Sequence, residues 1–364
     1  MTATLFDPIQ LGAISAPNRV FMSPLTRGRS SAGHVPVSEL KAVYYSQRAS
    51  AGLIIAEATG ISQEGLGWPS APGVWSDAQV AAWKPVTEAV HEAGGRIILQ
   101  LWHMGRLVHP DFLGGAQPVS ASATTAPGDA HTAEGKKPYT EARALETAEI
   151  PRIVEDYVHA AKNAMAAGFD GVQIHAANGY LIDQFLRDNS NFRTDQYGGP
   201  IENRIRLLRE VTQAVVNAVG SDRTSVRLSP NGETQGADDS NPVALFTAAA
   251  AALQDIGIAF LELREIKPYG NFGRTDVPRI SPHIREVFKG PLVLNQEYTR
   301  ELADADLSSG LADAISFGRP YIGNPDLVER LRVGAELTPD NFKTWYSPGA
   351  EGYTDYPLLE SADA

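Results

Sequence analysis

Eight short apolar runs, rich in branched aliphatic residues, recur along the chain: Arg19–Met22, Leu53–Ala58, Arg96–Leu101, Gly171–His175, Ser225–Leu228, Ala259–Leu263, Leu292–Leu294 and Ala314–Phe317. Most do not alternate with polar residues, which suits strands buried on both faces of a parallel sheet. Between them lie amphipathic helical stretches: Ser38–Ser50, Ser76–Ala93, Pro151–Ala167, Ile201–Val219, Pro242–Ile256, Ser281–Phe288, Arg300–Ser308 and Pro325–Val333. Ser76-x-x-Gln79 reads as a capping box, while Asn241-Pro242 and Asn324-Pro325 each set a cap residue before a proline at the first helical position. Gly257 and Gly290 read as helix stops just ahead of the next strand.

Eight β/α units in one chain predict a (β/α)8 TIM barrel, in the α/β class. A doubly wound open sheet is the competing fold, but the first strand runs into Ser23-Pro24-Leu25-Thr26-Arg27 without the glycine fingerprint of that fold. Leu5–Leu11 and Ala13–Asn18, joined at Gly12, predict an N-terminal hairpin that caps the barrel's bottom. Residues 103–149 are too many for a plain loop and rich in Gly, Pro, Ser, Thr and Ala. An insertion after the third strand belongs on the catalytic face, as a lid or small subdomain. No shift in composition divides the chain, so residues 1–364 read as one domain.

Composition narrows the chemistry. With no Cys among 364 residues, disulfides, thiolate metal sites and cysteine nucleophiles are excluded, and no metal site is expected. Thirty-one Lys and Arg against 43 Asp and Glu give a net charge of −12, which argues against nucleic acid or an anionic membrane as partner. No apolar run approaches the ~18 residues of a membrane helix. The first residues lack the basic and apolar regions of a secretory signal, so the expected location is cytoplasmic. Monomer and dimer are equally compatible with these features.

Barrel enzymes collect their functional residues at the C-terminal ends of the strands. Those positions hold Thr26, Ala58-Thr59, Gln100-x-Trp102, His175, Arg227, Glu262 or Arg264, Asn295 and Gly318-Arg319. Any one of them could merely satisfy a loop carbonyl. Together, an amide, a hydroxyl, an imidazole and two arginines suit a flat, anionic ligand with polar edges. Gly318 and Arg319 follow the eighth strand, where barrels commonly hold a phosphate; a surface salt bridge is the competing reading of Arg319. The densest stretch is His175-Ala176-Ala177-Asn178-Gly179-Tyr180. Imidazole and carboxamide can both donate to one substrate oxygen, and a phenol can deliver a proton to carbon. The competing reading is a buried His–Asn brace with Tyr180 packed in the core. Hydrolysis by paired carboxylates drawn from Glu57, Glu262 and Glu265 is a different chemistry on the same fold.

From His175 through Leu186, followed by Asn189–Asn191, Arg193-Thr194-Asp195 and Tyr197-Gly198-Gly199, the chain resembles the Old Yellow Enzyme family of FMN-dependent ene-reductases. The resemblance runs from Leu5-Phe6-Asp7-Pro8 to Tyr356-Pro357, and the family includes the bacterial N-ethylmaleimide, nitrate-ester and morphinone reductases, the first two of which the chain is similar to. It implies noncovalent FMN, NAD(P)H as hydride donor, and an activated alkene or nitro compound as substrate. Carried over, Pro24, Thr26, Ala58 and Gln100 contact the flavin's polar edge, Arg227 faces its N1 side, and Asn295, Gly318 and Arg319 belong to the cofactor site. His175 and Asn178 hold the substrate's activating group, Tyr180 donates the proton, and Trp68, Trp102 and Tyr346 line the substrate pocket. For Tyr346, anchoring the C-terminal tail is the competing role. A flavin-binding barrel with a sensing duty and little turnover is the alternative function.

Three places depart from the family pattern. Trp68 stands where many members have Tyr. Gln296-Glu297 occupies a phosphate-loop stretch often built from Gly or Ala, where Glu297 would repel phosphate unless turned away. The loop of the sixth strand, from Glu262 to Tyr269, is also unusual.

Overall fold

The computed structural model describes residues 3–270 and 273–359. A two-stranded antiparallel hairpin of β1 (Ile9–Leu11) and β2 (Ile14–Ala16) precedes the barrel. The barrel strands are β3 (Val20–Met22), β4 (Leu53–Gly60) and β5 (Ile97–Trp102), then, beyond the insertion, five more. The insertion contributes β6 (Val119–Ser120), β7 (Asp129–Thr132), β8 (Gly135–Pro138) and β9 (Arg143–Ala144) in two small sheets. The last five barrel strands are β10 (Gly171–His175), β11 (Thr224–Leu228), β12 (Phe260–Arg264), β13 (Leu292–Asn295) and β14 (Ala314–Phe317). All eight barrel strands pair in parallel, and β14 closes on β3.

The strands are buried on both faces because helices cover the outside and side chains fill the inside. Trp83, Tyr157, Leu208 and Phe246 lie in the outer core, between sheet and helices. The hairpin residues Leu11, Ile14 and Ala16 pack with Phe21, Leu53, Ile55, Ile98 and Phe260, so the hairpin does cap one end of the barrel's interior. Gly12 makes this seat possible. Its φ is +57°, and a Cβ there would lie 2.2 Å from the Asp222 carbonyl oxygen.

Helix ends expose the limits of local signals. Ser76 and Gln79 form the expected reciprocal cap, and Asn241 caps the helix Pro242–Ile256, which ends on left-handed Gly257. Asn324 does not cap. Its amide is engaged with the carbonyls of Pro320 and Thr338, so the last helix starts later, at Leu327 behind Asp326. The expected helix Ser38–Ser50 ends at Ser46, and Ile201–Val219 divides at Ile205 into Ile201–Arg204 and Arg206–Val219. Gly290 is not a left-handed stop, since the helix Ser281–Val287 is already closed by extended Phe288. The short helix Leu181–Leu186 escapes pattern reading because all six of its residues are buried, leaving no polar face.

Candidate active site

The strands' register brings polar side chains from different strands to one level inside the barrel. Gln100 and Gln173 are register partners across β5 and β10, as are Arg227 and Glu262 across β11 and β12. The Gln100 amide donates to Gln173 at 2.8 Å, and Gln173 donates to Glu262 at 2.9 Å. Ser316 donates to the other oxygen of Glu262. Arg227 donates to the Asn295 side-chain oxygen at 2.7 Å, while the Asn295 amide donates to Ser23 Oγ and to the Ser316 carbonyl, each at 2.8 Å. This belt locks side-chain orientations. Arg227 and Gln100 are almost wholly buried, and Arg227 Nε has no hydrogen-bond partner among the described residues.

Above the belt opens a cavity of about 540 Å³. Pro24, Thr26, Ala58, Gln100, Trp102, His175, Asn178, Tyr180, Arg227, Asn295, Gly318, Arg319 and Tyr346 all line it. Ala58 sits in a register shift between Ala56 and Thr59, the kind of irregularity that re-aims a strand end beside a site. Trp68 is the exception among the expected residues. It lies one ring back, 5.3 Å from Tyr346 and 5.0 Å from His131 between ring centroids. Tyr346 itself is half exposed and forms part of the wall, while the Trp345 carbonyl anchors the tail through Arg27 and Arg29.

His175, Trp102 and Tyr180 meet at their rings. The Tyr180 ring stands edge-on to both others, with centroids 4.9 Å from His175 and 5.0 Å from Trp102. Burial, reinforced by the positive charges of Arg227 and Arg264, holds the His175 imidazole well below its usual pKa, so it is neutral at pH 7. Its Nδ1 has no hydrogen-bond partner among the described residues. Desolvation raises the Tyr180 phenol, which keeps its proton. Asn178 takes φ +59°, with its N–H on Ser229 Oγ at 2.7 Å and its carbonyl accepting from Gln235 at 2.7 Å. A brace of His on Asn, the competing reading of this stretch, is not found among these contacts.

Sequence reasoning left Glu262 and Arg264 as alternatives at the end of β12. Arg264 lines the cavity, and Glu262 lies in the belt below it. Gln173, Ser229 and Gln235 were not anticipated. For Gln173 the signal was available, as a polar residue interrupting an apolar strand beside Gln100 on its neighbour. None of the three acids suited to hydrolysis faces the cavity. Glu57 pairs with Lys41 at 2.5 Å, Glu262 is held in the belt, and Glu265 accepts from the N–H groups of Ile280 and Ser281.

The end of the cavity at Gly318 and Arg319 differs from expectation. Glu297 is not turned away but lines the cavity, its carboxylate 3.1 Å from the Arg319 guanidinium. The salt bridge and the cavity position of Arg319 thus coexist. Gln296 and Glu297 both take positive φ, +103° and +50°, an uncommon pair for residues with side chains.

The cavity volume falls within the ~300–1,000 Å³ of small-molecule and cofactor sites. Buried cationic groups at Arg227 and Arg264 and apolar walls from Trp102 and Phe317 match a flat anionic group such as FMN, with Glu262 3.7 Å from Arg227 Nε offsetting part of that charge. A family model for the NADH:flavin oxidoreductase / NADH oxidase family matches residues 4–338. The chain is 42% identical to a putative 12-oxophytodienoate reductase of Oryza sativa, covering 99% of each. It is 43% identical to a chanoclavine-I aldehyde reductase of Penicillium roqueforti, over 97% of this chain and 95% of that one. The structure of an old yellow enzyme homologue from Zymomonas mobilis superposes with a TM-score of 0.96 at 63% identity, covering 98% of this chain and 100% of the other. Morphinone reductase in complex with tetrahydroNAD superposes with a TM-score of 0.93 at 47% identity, over 99% of each chain. With the barrel, the cavity and these relatives in agreement, the chain belongs to the NADH:flavin oxidoreductase family, that of Old Yellow Enzyme.

Proposed function

We propose that this protein is an FMN-dependent NAD(P)H oxidoreductase that reduces the C=C bond of activated alkenes: enones, enals, maleimides and nitroalkenes. The observation that carries the reading is the convergence of His175, Asn178 and Tyr180 on one cavity with Arg227 and Gln100. Bound FMN would supply the redox chemistry, hydride transfer from NAD(P)H to the β-carbon of the alkene. Pro24, Thr26, Ala58 and Gln100 serve the cofactor's polar edge, and Gly318 and Arg319 its phosphate end. Arg227, aimed by Asn295, would hold the polar side of the ring, its positive charge little screened by water at this buried position. Asn295 works through Arg227, because its own amide is fully engaged.

His175 and Asn178 donate to the oxygen of the substrate's activating group, where negative charge grows as hydride arrives. Neutral His175 donates an N–H without changing its protonation state. Tyr180 gives its proton to the α-carbon, a role that needs a phenol still protonated at working pH. Trp102 and Tyr346 supply apolar walls, with Trp68 supporting Tyr346. The insertion 103–149 acts as a lid within one continuous domain. Arg106, within it, donates to the Gln235 carbonyl at 3.1 Å, and Gln235 holds the backbone of Asn178. Location in the cytoplasm, without nucleic-acid or membrane partners, accords with the acidic composition. Among the described residues, no helix is long and apolar enough to cross a membrane.

Purified protein supplied with FMN should show the yellow flavin absorption band, lose it on mixing with NADPH, and regain it when 2-cyclohexenone is added. A preparation that takes up no FMN rejects the cofactor. Bleaching that no alkene or nitro compound reverses would favour a flavin-binding barrel without turnover.

A further inference from the structure

We propose that Arg264 is the positioning residue that fixes the polarity of Asn178, making an ambivalent carboxamide a donor and so selecting ligands that present an acceptor oxygen. The inference rests on the ene-reductase reading of this site and deepens it.

A carboxamide carries an acceptor at one end and a donor at the other, and a half-turn about its last bond exchanges them. The backbone of Asn178 is held. Its N–H and carbonyl are bound by Ser229 and Gln235, and the Gly179 that follows lies so close to Thr234 that a Cβ would stand 2.5 Å from its carbonyl oxygen. A fixed backbone does not settle which way the amide faces. Arg264 does, with its guanidinium donating to Asn178 Oδ1 at 3.1 Å. Arginine has donors and no acceptor, so the flipped amide would set donor against donor. With Oδ1 taken, Nδ2 remains, and it has no hydrogen-bond partner among the described residues.

Arg264 is itself well placed. It ends β12, is 9% exposed, and its Nε donates to the Gln296 side-chain oxygen at 3.1 Å. Burial and the nearby Arg227 bring its pKa down to about 10, so it remains a cation at neutral pH. One fork therefore ties the loop after β10 to the loop after β13. The β12 end, which departs from the family pattern in sequence, sets the chemistry of a residue on another strand. A site polarised in this way favours carbonyl and nitro groups and disfavours amine donors at the same position.

The test is a double-variant cycle on the FMN-loaded protein, reading binding of 2-cyclohexenone to the oxidised form by perturbation of the flavin spectrum. Without reductant the enone binds but does not react. Arg264→Met should weaken binding about tenfold, as should Asn178→Ala, and the double variant should bind no worse than Asn178→Ala alone. Arg264→Lys should recover part of the loss. Should Arg264→Met fail to hold FMN, Arg264→Lys carries the comparison: a several-fold loss that vanishes when Asn178 is already Ala. A loss that persists in the Asn178→Ala background, or no loss in either Arg264 variant, overturns the proposal. The two readings separate cleanly. Wild-type protein that binds the enone but never reduces it rejects ene-reduction while the cycle still judges Arg264. Normal reduction with unaltered binding in Arg264→Met rejects only the role of Arg264.

Discussion

Desolvation raises the pKa of Tyr180 and keeps its proton on, and the rings of His175 and Trp102 pack around its own ring. Tyr180→Phe removes the hydroxyl and leaves that packing in place. Reduction of 2-cyclohexenone should slow at least about a hundredfold in single-turnover mixing, while bleaching by NADPH changes little. Equal slowing of both half-reactions would remove Tyr180 as proton donor. Glu297 offers a second test. Its pairing with Arg319 competes with any phosphate for the same guanidinium, and the pair is partly exposed, so the effect is modest. Glu297→Gln should lower the Kd for FMN about three- to tenfold, followed by quenching of FMN fluorescence. A weaker or unchanged Kd would mean that Glu297 does not compete. At this scale nearly every residue the sequence singled out lies on the cavity, Trp68 excepted, while wall residues such as Tyr298, Phe317 and Trp345 were not among them. The sequence also missed how the cavity side chains are aimed, because the partners of Asn178 and Arg227 lie on other strands.

Elements near the C-terminus act as a strap. The Arg27 guanidinium donates to the carbonyls of Trp345 and Gly352, and that of Arg29 to those of Thr344, Trp345, Gly349 and Glu351. Both arginines are buried, and Arg29 also lies 4.3 Å from the centre of the Tyr353 ring. Arg29→Met leaves the buried Thr344 carbonyl and the more exposed carbonyls of Gly349 and Glu351 without this donor, while Trp345 keeps Arg27, at a cost of about 1–3 kcal/mol of stability. Because Trp345 and Tyr346 form cavity wall, the same change should raise the KM for an enone more than it lowers kcat. A lower Tm with an unaltered KM would confine the strap to stability. Strand positions were legible to within a residue or two, since burial on both faces writes itself as an apolar run. Asn324 shows where that legibility ends. Its side chain reads locally as a cap but bonds to Thr338, fourteen residues on.

Across the whole molecule, acid should act through buried imidazoles. His103 is fully buried, and its pKa falls from 6.5 to about 3; that of His175 is also well below 6.5. Each is held neutral in the fold but takes a proton near 6.5 once unfolded. Their contribution to stability is therefore complete above that value and is lost as pH falls towards the folded pKa. Urea midpoints should drop steadily between about pH 6.5 and 4, and His103→Gln should flatten that slope. A slope unchanged by the substitution would assign acid sensitivity to other groups.

What the sequence determined by itself was the barrel, its hairpin cap, the insertion, and the identity of the residues at the strand ends. Those follow from periodicity and from local chemistry, each set by neighbours within a few positions. Only the tertiary structure decided that Gln100, Gln173, Glu262 and Ser316 form one belt, that Trp68 stands behind Tyr346, that Glu297 faces Arg319, and that Arg264 meets Asn178. Each is a pairing across strands or loops distant in the chain. Barrel closure brings those partners together, and no local pattern records a register between strands.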